Sequence, residues 1–109
     1  MIRVGSITIP NGGTASDPLD GHLIRWATAL YVHPPAALAG TVTVEVAPRR
    51  PSTVQAADWR ALESEGTPIE VTAGQTLPLI ATGFGSIRVS TTVAPGVGGE
   101  EFEITIEER

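Results

Sequence analysis

A chain of 109 residues with a formal net charge of −5, seven cations that are all arginine, and neither lysine nor cysteine excludes several chemistries at once. It offers no disulfide, thiolate metal site, thiol nucleophile, Schiff-base lysine or phosphate-loop lysine. Its acidic balance does not suit a protein whose hold on nucleic acid rests on neutralising phosphates.

The length is that of one domain, residues 1–109, large enough to bury its own core. Val, Ile and Thr supply 32 residues against 7 Leu. β-branched side chains lose rotamer freedom in helices and sit well on pleated sheets, so an all-β domain is expected. The 12 Gly and 9 Pro are enough for many tight turns. No run is long and apolar enough for a transmembrane helix, and no signal peptide is visible at the N-terminus. Synthesis in a cytoplasm, with no membrane and no nucleic-acid partner, is the expectation.

Residues 2–9 read as a first strand whose inward parity switches at Gly5-Ser6, the mark of a bulge or bend. Pro10 to Gly13 ends it, and residues 14–21 form a polar loop with Asx-type turns at Asp17-Pro18 and Asp20-Gly21. Residues 22–33 read as the longest strand. Leu23, Ala27, Ala29 and Tyr31 lie on one face, with Ile24, Trp26, Leu30 and Val32 on the other, so both faces are expected to be covered. Residues 41–46 alternate cleanly, with Val42, Val44 and Val46 inward. Pro48-Arg49-Arg50-Pro51 is a stiff basic loop, and Ser52 with Gln55 fits a capping box opening a short helical turn, followed by a turn and short strand around 59–62. Residues 69–71 and 77–80 are short strands about the Ala73-Gly74 turn, the second an edge because of Pro78. Residues 86–93 alternate with Ile87, Val89, Thr91 and Val93 on one side. After the flexible Pro95–Gly99 connection, residues 101–107 place Phe102, Ile104 and Ile106 inward. Seven or eight short strands close most naturally as a single antiparallel β-sandwich, jelly-roll-like in outline.

Groups suited to catalysis are sparse. His22 and His33 lie eleven residues apart, roughly 36 Å along an extended strand, and so do not share a metal unless the chain bends. Asp17 and Asp20 are too few for a calcium loop. Gly83 and Gly85 match neither a nucleophile elbow nor a dinucleotide fingerprint. The pairs Glu100-Glu101 and Glu107-Glu108 read as a solvated or partner-facing edge, since strand neighbours point to opposite faces. No catalytic residue, metal or cofactor is therefore assigned. The candidate binding residues are Arg49 and Arg50 in the proline-locked loop, Arg88 on an outward strand face, and the aromatics Trp26 and Tyr31. Arginine forks suit carboxylates of a protein partner. Trp26, Trp59 and Tyr31 serve either as core filler or as a sugar-stacking platform. Charge is split along the chain: residues 1–60 carry five Arg and four acids, whereas residues 61–109 carry two Arg and eight Glu.

The run Thr41-Val42-Thr43-Val44-Glu45-Val46, then Trp59 and Leu62, Ile69-Glu70-Val71 with Ala73-Gly74, and Phe84-Gly85-Ser86-Ile87-Arg88-Val89 resembles the small β-sandwich structural proteins of tailed bacteriophages, especially capsid decoration (cement) proteins. The likeness spans roughly residues 22–93 and rests on order and spacing. It implies a virion protein without catalytic groups that binds the major capsid protein as a dimer or trimer and stabilises the head shell. The other reading is a carbohydrate- or receptor-binding module of a phage tail or fibre.

The parity of residues 41–46 makes Val44 a core position. Val44→Asp is expected to abolish the cooperative thermal transition, because an unpaired core charge costs several kcal/mol. An unchanged melting temperature, followed by circular dichroism, would show the opposite strand phase.

Overall fold

The computed structural model describes residues 2–79 and 83–108. In chain order the strands are β1 (Ile2–Ile9), β2 (Leu19–Asp20), β3 (Ala27–His33), β4 (Val42–Ala47), β5 (Arg60–Ala61), β6 (Glu63–Ser64), β7 (Thr67–Pro68), β8 (Glu70–Val71), β9 (Leu77–Leu79), β10 (Ser86–Thr91) and β11 (Glu100–Glu108). Two short 3-10 turns, Gly21–Ile24 and Ala56–Asp58, are the helical elements among the described residues. Antiparallel sheets of order β1-β11-β3-β9 and β2-β10-β4-β5, with β8 also on β4, bury their inner faces together as a β-sandwich.

The alternating segments form the core as expected. Val42, Val44 and Val46 on β4 meet Thr91, Val89 and Ile87 on β10 across the ladder. Phe102, Ile104 and Ile106 on β11 face inward and are essentially inaccessible. The β1 register shifts between Arg3 and Gly5, so Val4 is the bulged residue. Gly5 holds φ at 154°, a region that suits glycine. The bulge restores Ile7 and Ile9 to the core side.

Several expectations are corrected. The strand over residues 22–33 starts only at Ala27. The Asp20 carboxylate accepts from the His22 N–H at 2.9 Å and curls Gly21–Ile24 into a 3-10 turn. Only one face of β3 is buried, through Ala27, Leu30 and Val32, while Ala29, Tyr31 and His33 are half-buried on the outer side. The polar loop 14–21 contains β2 and a bridge from Ala15 to Ser90. The capping residues are Gln55 and Asp58, three positions later than the Ser52–Gln55 box, with the Gln55 N–H donating to Asp58 at 2.9 Å. β10 stops at Thr91, where the side-chain hydroxyl donates to the Val93 carbonyl, and Val93 is half exposed. The small hairpin β6–β7 turns through Glu65 and Gly66, both at positive φ, and lies entirely at the surface. Glu100, read as a solvated edge residue, is 7% exposed because it continues the inward parity of β11. β9 is the edge strand expected from Pro78; Ile80, the expected end of that strand, lies outside the described residues.

The 3-10 turn is sealed against the bend before β10. The Gly21 N–H donates to the Gly85 carbonyl at 2.9 Å, and a Cβ on Gly21 would sit 1.9 Å from the Phe84 carbonyl oxygen. Gly21→Ala therefore requires backbone displacement. Overpacking of about 1–3 kcal/mol translates to a Tm roughly 5–20 °C lower by calorimetry. An unchanged Tm would mean the two segments are not in this contact.

Candidate interaction site

The end of the sandwich that holds the start of β1 also gathers the Gly21–Ile24 turn, the 48–52 loop and the bend at Gly83–Gly85. Asp20 organises it. Its carboxylate, already capping the turn, also accepts from Arg50 through Nη2 at 2.7 Å and Nε at 3.3 Å. The Arg50 guanidinium first, and the His22 N–H second, hold the Asp20 carboxyl below its ordinary value of 3.8. Asp20 in turn makes Arg50 still harder to deprotonate. Next to it, Arg49 Nε lies 3.5 Å from Asp58, and its carbonyl accepts from the buried Ser86 hydroxyl at 2.7 Å. The proline-bounded loop is thus stiffened by two ion pairs within the chain.

Two hollows flank the Arg50–Asp20 pair. One, of about 480 Å³, is lined by Val4, Leu19, Leu23, Asp20, Arg50 and Pro51. The other, of about 270 Å³, lies among His22, Arg25, Arg50, Pro48 and Phe84. On the rim Leu23 is 59% and Trp26 70% exposed, and the Arg25 guanidinium lies 5.3 Å from the Trp26 ring centre. Arg25 also donates to the His22 carbonyl at 2.6 Å, which fixes the cation against the turn.

The remaining candidates lie on the two outer faces and are not brought together. On β10, Arg88 donates to Glu45 at 2.7 Å across the ladder, while its guanidinium stacks on the half-buried Trp59 ring at 4.2 Å. Trp59 therefore has one ring face occupied by its own chain. On β3, Tyr31 stands beside Glu107. Its partial burial first, and the Glu107 carboxylate second, push the hydroxyl above its ordinary value of 10.0. Glu101, Glu103 and Glu107 share that outer face, with Arg3 3.8 Å from Glu103.

His22 sits on the turn, whereas both ring nitrogens of His33 are engaged, by Thr76 at 3.0 Å and Thr105 at 2.7 Å. Asp17 accepts from the Thr8 N–H at 2.8 Å and closes the edge of β1. Among the described residues no three His, Asp or Glu side chains stand close enough to hold a metal ion. Glu100 accepts from the Ala39 N–H at 2.7 Å, and its other carboxylate oxygen is buried without a partner.

No family model, curated protein or solved structure matches this chain. Sequence reasoning missed Leu23 and Arg25 as surface groups, because an apolar run read as a strand hides a turn. The one available signal was Asp20-Gly21 directly before it, a pair that favours turn initiation.

Because the folded-state value of Asp20 is lowered, the stabilisation from its pair with Arg50 is present above pH 3.8 and is lost as pH falls through the folded value. Asp20→Asn is expected to melt below wild type at neutral pH, and the difference is expected to shrink when both are measured well below pH 3.8, as the wild-type carboxylate takes up its proton. Parallel Tm differences at the two pH values would exclude an electrostatic role.

Proposed function

We propose that this protein is a non-enzymatic virion structural protein, a capsid decoration protein that binds the major capsid protein and stabilises the head shell. The observation that carries the reading is the distribution of exposed apolar groups on the rigid sandwich. Leu23 and Trp26, with Ile2, stand at one end, and Val93 and Val97 stand on the connection at the opposite end, Val97 98% exposed. Apolar groups gathered a few residues apart, Leu23 with Trp26 and Val93 with Val97, fit surfaces that meet another protein better than scattered single side chains do. A body with adhesive groups at both ends suits a clamp between neighbouring subunits. Arg49, Arg50 and Arg88 support this reading as geometry more than as free charge: each is held by a carboxylate of the chain, so loops and faces meet a partner preorganised. The resemblance of residues 22–93 to decoration proteins points the same way.

Exposed Trp26 also favours a second reading, a glycan- or receptor-binding module of a phage tail or fibre, in which the indole with its stacked Arg25 is the sugar platform. Trp59 is the weaker platform because Arg88 covers one face.

The decisive measurement is co-sedimentation with undecorated capsids. Wild-type protein is expected to pellet with the shells, and Val97→Asp, at a site that makes no internal packing contact, to weaken binding about tenfold or more. Failure of wild type to pellet overturns the capsid reading, and glycan-array binding lost in Trp26→Ala would establish the second.

A further inference from the structure

The turn-bearing end of the sandwich and one of its outer faces differ in charge, and this divides their roles. At the Leu23–Trp26 end, Arg25 lines one hollow with His22 and the Asp20-paired Arg50, beside the most exposed aromatic ring of the described residues. The outer face of the β1-β11-β3-β9 sheet has the complementary character. Glu101, Glu103 and Glu107 stand in a row spanning roughly 20 Å along β11, with Ala29 and Tyr31 half-buried beside Glu107. An arginine-flanked tryptophan and an acidic strip next to a tyrosine are matched in sign and in apolar content.

We propose that the Leu23–Arg25–Trp26 end docks on the Tyr31–Glu103–Glu107 face of a second copy of this chain. Trp26 and Leu23 lie over Ala29 and Tyr31 of that copy, and Arg25 meets its β11 carboxylates. The two surfaces are different patches of one molecule, so the contact is heterologous and propagates head to tail until a rotation closes it into a ring. The end carrying Val93 and Val97 remains for the shell. The division of ends rests on the decoration reading, but the self-docking does not.

Sedimentation velocity on the purified chain tests it without capsids. At about 50 mM salt the protein is expected to run as an oligomer, and at about 0.5 M salt, where exposed charge pairs are screened, to shift toward the 11.3 kDa monomer. Arg25→Glu with Trp26→Ser removes the head, and Glu103→Arg with Glu107→Arg removes the face. Each double variant is expected to be monomeric at low salt while melting cooperatively. Mixed in equal amounts they are expected to form a heterodimer and nothing larger, since one intact head then meets one intact face. Leu23→Ser, whose side chain makes no hydrogen bond, is a second head variant should the first not fold, and it too is expected to be monomeric. A monomeric wild type at low salt, a folded variant that assembles as wild type does, or a mixture that stays monomeric would each overturn the proposal. A monomeric wild type that still pellets with capsids would leave the decoration reading standing.

Discussion

The fold depends on the pairing of β11 between β1 and β3. This strand brings Phe102, Ile104 and Ile106 into the core and carries the register of two neighbours at once: Ile106 faces Ile2 on one side and Leu30 on the other, and Ile104 faces Gly5 and Val32. Each fully buried aliphatic or aromatic side chain of this kind is worth about 1.5–3 kcal/mol of transfer free energy. The strand closes a loop running almost the whole length of the described chain, so its entropy cost falls due before any of that burial is gained. The second sheet has a more local organisation, with β4 as its axis and β10, β5 and β8 added to it.

How much of this was legible in the sequence varied with the physics of each segment. Residues 42–46 and 102–106 alternate because one sheet face is wet and the other dry, and that requirement alone places Val44 and Phe102. The bulge was legible because Ile2 and Ile7 share a face only if one residue is extra. Residues 22–26 were not, since Leu23, Ile24 and Trp26 carry strand-like apolarity while the backbone obeys the Asp20 cap. Glu100 was misread for a related reason: a charged residue at the start of a strand counts as solvent-facing unless parity is carried through it. The β6–β7 hairpin has no apolar face, so no periodicity announces it.

Charge is organised at short range. The split between an Arg-containing first part and a Glu-rich second part describes the linear chain. In the folded molecule Arg3, Arg49, Arg50 and Arg88 each lie within 4 Å of a carboxylate. Exposed pairs of this kind contribute little to stability, because solvent screens the charges and two long side chains must be held in one geometry. Their larger effect is to immobilise the loops from which they project. Arg50 and Asp20 tie the first 3-10 turn to the proline-bounded loop, and Arg88 ties β10 to β4 and to the aromatic ring that follows the second turn. The recognition chemistry consequently falls mainly to groups outside these pairs: Leu23, Arg25, Trp26 and, on β11, Glu101 and Glu107, with Glu103 shared with Arg3.

The contrast between the two indoles has a spectroscopic consequence. Trp59 is half-buried under a guanidinium, whereas Trp26 is 70% exposed, with Arg25 over one side of its ring. Ultraviolet excitation therefore addresses two fluorophores in unlike surroundings, one whose emission follows the integrity of the β4–β10 face and one open to quenchers from solution. Iodide or acrylamide would silence the second first, leaving the first as an internal gauge of the folded state. The molecule carries separate optical readouts for whether it is folded and whether its turn-bearing end is covered, with no label added.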